Sequence, residues 1–305
     1  SKINFTLDVL DLMPDGFHAI ESVMQTISLR DTVNLVFHDE PGIRVTCSMP
    51  EIPTDERNLA YKAAALFLQD AGIAVGVDIH IDKCIPPEAG LGGGSSNAAA
   101  VLKGLAIRFG MGSDKVNSSQ PGALSEKLNT LAAKIGSDVP FFLTGGTALV
   151  SGRGEHVLPL PDIPTQWLVI VIPPFGVSTG WAYRHLDHMR EGGHEPRKVR
   201  ASASRRLAEY IERTLSSHSE PTKIKIGLFL HNDLELPVIQ RYPEIGMIKD
   251  ALLTAGANGA LMCGSGSAVF GLFADEVEAS AACYTLDAKL GKRFVVQTIG
   301  RQAAR

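Results

Sequence analysis

Apolar and polar positions alternate near the start of the chain, where Ile3, Phe5, Leu7 and Val9 are separated by polar residues. A period of two places the apolar side chains on one face, so this stretch predicts a half-buried strand. Met13-Pro14-Asp15-Gly16 follows, with Pro and Gly supplying turn geometry. Further strand-like runs cover Val23–Leu29, Val33–Phe37 and Ile43–Cys47. The clearest covers Ile73–Ile81, with Val75, Val77, Ile79 and Ile81 on one face. Helical patterns cover Leu59–Ala71, Asn97–Phe109 and Leu124–Ile135. Each is followed by a glycine (Gly72, Gly110, Gly136), the residue that most readily takes the left-handed conformation that stops a helix. Strand-like Phe141–Leu143 and Thr147–Val150 come next.

The Pro-rich stretch Leu158–Thr165 predicts a boundary, giving domains at 1–157 and 158–305. Beyond it, Trp167–Ile172 reads as a buried strand, Arg197–Arg213 as a charged surface helix and Ser216–Thr222 as a loop. Glu244–Ala255 and Val277–Leu290 read as helices, and Gly259–Cys263, Ala268–Phe273 and Phe294–Thr298 as strands. Strands and helices fall in groups rather than in strict alternation, which predicts an α+β fold.

Composition narrows the function. A net charge of −4 argues against a nucleic-acid partner held by bulk electrostatics. The four cysteines, Cys47, Cys84, Cys263 and Cys283, are scattered and form no C-x-x-C pair, so reduced thiols are expected rather than disulfides or a zinc site. The most apolar run, Trp167–Ile172, ends at Pro173-Pro174 and is too short to span a membrane. Ser1-Lys2-Ile3-Asn4 leads into the first strand without an apolar signal core, so a cytoplasmic protein with no membrane partner is expected.

The strongest local signal is Pro86-Pro87-Glu88-Ala89-Gly90-Leu91-Gly92-Gly93-Gly94-Ser95-Ser96, between the clear strand and the helix predicted from Asn97. Glycines let backbone approach a ligand closely, and a helix N-terminus presents N–H groups and a partial positive charge. Together they favour phosphate. Ser95 and Ser96 can cap the helix, contact phosphate or help hold Mg²⁺. No Gly-Lys-Ser/Thr follows, so this is no Walker A loop. Ser95 stands where a dinucleotide fingerprint needs a third Gly or Ala, which disfavours an oxidoreductase.

This loop resembles the nucleotide-binding loop of the GHMP kinases. Gly136-Ser137-Asp138-Val139-Pro140 resembles the Gly-x-Asp-Val-Pro segment of the members that carry a catalytic Asp, and 263–270 resembles their third, glycine-rich motif. Lys2-Ile3-Asn4, Pro14-Asp15-Gly16-Phe17-His18, Met24–Leu29 and Asn232-Asp233-Leu234-Glu235 resemble the branch acting on 4-diphosphocytidyl-2-C-methyl-D-erythritol. The resemblance runs from Lys2 to Phe270. It implies an N-terminal domain like ribosomal protein S5 domain 2 and a ferredoxin-like C-terminal domain. It also implies ATP-dependent phosphorylation of the 2-hydroxyl of that alcohol, a step of the non-mevalonate isoprenoid pathway. The implied partner is a small molecule carrying a cytidine diphosphate group, with Mg²⁺ beside ATP, and the chain a monomer or homodimer.

The resemblance implies residue roles as well. Asp138 is the candidate base and Lys2 the candidate cation that offsets charge on the γ-phosphoryl group. Positions 86–96, Asn58 and Lys83 are expected at ATP. Asn58 can equally cap the helix from Leu59, and Lys83 can simply end its strand. Asn4, Phe17, His18, Tyr183, Gly264, Ser265 and Gly266 are expected at the alcohol substrate, with Phe17 and Tyr183 on the faces of the cytosine and His18 on its edge. Phe17 stands where this branch usually has Tyr; a phenyl ring keeps stacking and loses the hydroxyl. Two alternatives stay open: another small-molecule kinase of the superfamily, acting on homoserine or a mevalonate derivative, and a non-catalytic nucleotide-binding protein of the same fold.

Overall fold

The computed structural model describes residues 1–110, 123–191, 202–216 and 224–303. By packing, the chain divides into two compact units. The first is Ser1–Ser28, Pro87–Leu91 and Gly145–Arg305; the second is Leu29–Pro86 and Gly92–Thr144.

Among the described residues, the first unit contains two sheets. One runs in the spatial order His156–Pro159, Thr147–Gly152, His18–Thr26, Lys2–Leu12, His231–Asn232, antiparallel except for the last pair. The alternation read from Ile3 to Val9 is present, yet Asn4, Thr6 and Asp8 are buried too, because both faces of that strand are covered. The other sheet is wholly antiparallel: Ala260–Met262, Val269–Phe273, Trp167–Ile172, Lys292–Gln297. Helices Pro243–Thr254 and Glu276–Thr285 pack on it, contributing Ile245, Ile248, Leu252, Ala279 and Ala282 to its core.

The second unit has a three-stranded sheet in the order Thr32–His38, Gly76–Asp82, Gly42–Cys47. The second pair is parallel, and helix Leu59–Ala71 provides the crossover such a pair requires. Helices Gly93–Arg108, Ala123–Ile135 and Val139–Thr144 complete it. Strands and helices are grouped, as an α+β fold requires.

Several local expectations need correction. Residues 141–143 lie in helix Val139–Thr144, not a strand. Val139, Pro140, Phe141 and Phe142 are all buried, and a short unbroken apolar run has no period to separate strand from helix; Pro140 in the first turn favours the helix. The strand expected from Ile73 begins at Gly76. The helix expected over 277–290 stops at Thr285, and Asp287 caps a separate short turn, Ala288–Leu290. The charged helix is observed as Ala203–Ser216; its expected start and most of the loop after it lie outside the described residues. Thr179–Glu191 is a helix that the apolar pattern did not predict.

Candidate active site

In the second unit, helix Gly93–Arg108 begins on the glycines themselves, not at Asn97. Gly92, in the left-handed conformation at φ 69°, is its N-cap, so Ser95 and Ser96 sit inside the first turn rather than capping it. Position 93 is crowded: a Cβ there would lie 3.0 Å from Ile85 Cγ2 and 3.1 Å from Lys83 Nζ. Ser96 Oγ donates to the Gly93 carbonyl at 2.8 Å. The first-turn N–H groups that lack carbonyl partners make this end electropositive.

Beneath that turn lies a buried ion pair. Lys83 Nζ is 2.5 Å from Asp31 Oδ2, with the two side chains 3% and 1% exposed. Asp31 Oδ1 also accepts the Cys84 and Ile85 N–H groups at 2.7 and 2.8 Å. Lys83 therefore ends its strand as one half of a clamp on the chain entering the glycines. Asn58 caps Leu59–Ala71: its Oδ1 accepts the Ala60 N–H at 2.9 Å and its Nδ2 donates to the Pro53 carbonyl.

Asp138 stands immediately before helix Val139–Thr144, in a turn closed by the Val139 N–H to the Gly136 carbonyl at 3.1 Å. This turn abuts the glycine helix, since a Cβ at Gly136 would lie 4.0 Å from Ser95 Oγ. A half-buried carboxylate and a first helical turn thus share one neighbourhood.

In the first unit, Lys2 is buried and donates to Asn4 Oδ1 at 2.7 Å. Asn4 Nδ2 donates to Ser22 Oγ, also at 2.7 Å, and Ser22 Oγ donates to the Thr6 carbonyl. The Lys2 N–H donates to the Leu91 carbonyl, which ties segment Pro87–Leu91 to the strand. That segment also meets loop 263–267: the Ala268 N–H donates to Ala89, and a Cβ at Gly90 would collide with the Cys263 carbonyl. Loop 263–267 joins strands Ala260–Met262 and Val269–Phe273, with Gly264 and Gly266 at φ 54° and 92°. Ser265 Oγ is 2.8 Å from Thr179 Oγ1. Burial pushes the Cys263 thiol up to about 12, against a smaller opposing effect of the Lys2 charge.

The expected cytosine-binding residues, also in the first unit, group around His18. Its Nε2 is 2.9 Å from Asp187 Oδ1, and its ring stacks on Tyr183 with centroids 5.3 Å apart. Phe17 is 57% exposed and lies under the Arg153 guanidinium, 5.6 Å from the ring centre. Sequence reasoning missed Asp31, Ser22, Thr179 and Asp187, whose partners lie 16 to 86 residues away or, for Asp187, 169. Among the described residues, no group of three or more His, Cys, Asp or Glu could hold a metal ion, and no helix is long and apolar enough to cross a membrane.

Two family models match the chain, GHMP kinases N terminal domain over residues 58–146 and GHMP kinases C terminal over 219–292. A 4-diphosphocytidyl-2-C-methyl-D-erythritol kinase of Gloeobacter violaceus is 40% identical over 300 residues, covering 98% of this chain and 92% of the relative. The same-named kinase of Geobacter metallireducens is 41% identical over 286 residues, covering 94% and 92%. A crystal structure of 4-(cytidine 5'-diphospho)-2C-methyl-D-erythritol kinase superposes with a TM-score of 0.74 at 32% identity, covering 98% of this chain and 97% of its own.

Proposed function

The chain belongs to the GHMP kinases, and on that premise we propose that it transfers the γ-phosphoryl group of ATP to the 2-hydroxyl of 4-diphosphocytidyl-2-C-methyl-D-erythritol. The observation that carries phosphoryl transfer is the helix that opens on Gly93 with the Asp138 turn beside Ser95. The relatives' names and the Phe17–His18 pair support the choice of alcohol.

Phosphoryl transfer asks a protein mainly to position groups and stabilise charge. The triphosphate sits on the N-terminal turn at 93–96, with Pro86 and Pro87 to Leu91 bounding the loop. The Lys83–Asp31 clamp and the Asn58 cap hold the backbone around the nucleotide. A Mg²⁺ ion bound with ATP would supply charge neutralisation on the phosphates and would need few ligands from the chain. The half-buried Ser95 hydroxyl is a donor that fits it. Asp138 accepts the proton of the attacking hydroxyl. Lys2, oriented by Asn4, offsets charge on the transferring group.

Phe17 offers its exposed face to cytosine, and Asp187 orients the His18 imidazole for the base edge while Tyr183 braces that ring. Gly264, Ser265 and Gly266 bring backbone close to the alcohol. The family halves are 1–157 and 158–305, and the protein works in the cytoplasm as a monomer or homodimer. A coupled ADP-release assay with the cytidyl alcohol, homoserine and mevalonate tests this reading. Turnover confined to the cytidyl alcohol is expected; preference for either other alcohol would move the chain elsewhere in the superfamily. Phe17→Ala should raise the KM for the cytidyl alcohol roughly 5- to 150-fold, the range of about 1–3 kcal/mol per stacked base, and leave ATP KM unchanged.

A further inference from the structure

The run 232–235 has no role in the chemistry above, yet within the first unit each of its polar members is tied to residues of other elements. Asn232 is buried, and its Nδ2 donates to the Met262 and Gly264 carbonyls at 3.0 and 2.8 Å. Its Oδ1 accepts the Leu234 N–H at 2.9 Å. Asp233 Oδ2 accepts the Val9 N–H at 2.7 Å, from the strand that carries Lys2, and meets Arg190 at 3.1 Å, from the helix that carries Tyr183 and Asp187. Glu235 Oε1 accepts the Met262 N–H at 3.0 Å, and its Oε2 pairs with Lys249.

One of these bonds, from the Asn232 amide, reaches the backbone of Gly264. A Cβ at Gly264 would lie 3.4 Å from Lys2 Nζ, 3.5 Å from Asn4 Oδ1 and 3.4 Å from the Gly90 carbonyl. Gly264 is thus packed directly beside the cation assigned to the transferring phosphoryl group. A single buried amide holds the carbonyls on either side of Cys263, the residue that leads into the loop.

We propose that Asn232 is a positioning residue for phosphoryl transfer: by holding the Met262 and Gly264 carbonyls, it sets where loop 263–267 stands against Lys2 and Asn4. Asp233 and Glu235 brace Asn232 from the strand and sheet on either side. The catalytic part of this inference rests on the kinase reading above; the mechanical part stands without it.

Asn232→Asp separates the two jobs of the side chain. It keeps an acceptor for the Leu234 N–H and replaces the amide donor with a carboxylate oxygen facing two carbonyls. Hydrogen exchange of peptides spanning 260–268 should be faster in the variant, with peptides spanning 167–172 unchanged. The variant's kcat should fall roughly 10- to 100-fold, the scale of sub-ångström to ångström misplacement, with both KM values within about threefold of the unmodified chain. A merely structural role would lower thermal stability and leave kcat per folded molecule intact, and that result overturns the proposal. So does unchanged exchange at 260–268. If the unmodified chain does not phosphorylate the cytidyl alcohol, the kinase reading fails, and the exchange result alone decides whether Asn232 holds the loop. Should Asn232→Asp not fold, Glu235→Gln keeps the acceptor for Met262 and weakens the pair with Lys249; it should move exchange and kcat in the same direction by less.

Discussion

Two glycine-rich segments, 92–96 and 263–267, share a composition and are held in place by different means. The first is the opening turn of a helix, anchored by the helix's own hydrogen bonds and by the packing of Gly93 over Ile85 and Lys83. The second joins two strands, and side chains distant in sequence, Asn232 and Thr179, fasten it. Glycine answers crowding at 93 and left-handed backbone at 264: Gly93 would carry a Cβ at 3.0 Å from its nearest neighbour, whereas Gly264 has φ 54° and no Cβ neighbour closer than 3.4 Å. A glycine run therefore marks a backbone constraint without saying which one. The anchoring partners separate a phosphate cradle from a loop that must be held from outside.

The largest expected effect falls on the first segment's neighbour. Asp138→Asn should preserve folding and ATP binding while lowering turnover by roughly 10²-fold or more, the scale of a general base. Steady-state kinetics beside a thermal melt checks this, and near-normal turnover in a folded variant would remove Asp138 from the chemistry.

Gly93→Val should weaken ATP binding, because a branched side chain there would press on Ile85 and Lys83 and displace the turn whose backbone approaches phosphate. Titration calorimetry reads this directly, and an unchanged ATP affinity would mean the helix start is not the cradle. Gly264→Ala has room for its methyl group but must hold positive φ, at about 1–2 kcal/mol of stability. It should lower the melting temperature and leave ATP affinity unchanged, so the two substitutions together test the contrast between crowding and conformation.

The smallest effect is a pH dependence at two carboxylates of the first unit, Asp233 and Glu21. Burial alone would raise the Asp233 carboxyl, but hydrogen bonds from His231 and the Val9 N–H, with the His231 and Arg190 charges, hold it below its ordinary 3.8. Burial likewise opposes, and hydrogen bonds from Arg205 and Ser202 outweigh, so that Glu21 lies below its ordinary 4.5. A depressed carboxylate stabilises the fold fully above its unfolded value and loses that contribution as pH falls through the folded value. Stability should therefore decline below about pH 4, and Asp233→Asn should flatten part of that decline in acid melts. An identical acid limb in the variant would show that Asp233 contributes nothing to it.

Much of this was legible in the sequence because it is local. The glycines at 90 and 92–94, the Asp138 turn and the strand alternation from Ile3 all speak through neighbours within a few residues. What was not legible depends on distant pairing. Asp31 meets Lys83 from 52 residues away, Asp187 meets His18 from 169, and Asn232 reaches Gly264 across 32. The helix Val139–Thr144 was missed for a different reason: burial on every side erases the polar positions that would reveal a period. Ser95 and Ser96 look like caps in sequence, but the helix already starts at Gly93, so Gly92, left-handed at φ 69°, takes that position.

The most direct test of the central claim is the identity of the product. The chain should be incubated with ATP, Mg²⁺ and 4-diphosphocytidyl-2-C-methyl-D-erythritol and followed by phosphorus NMR. One new phosphomonoester resonance, coupled to the carbon that bears the 2-hydroxyl and growing in step with ADP, is the predicted result. ADP without that resonance, or phosphate appearing on homoserine or mevalonate in a parallel tube while the cytidyl alcohol stays unchanged, would contradict the account.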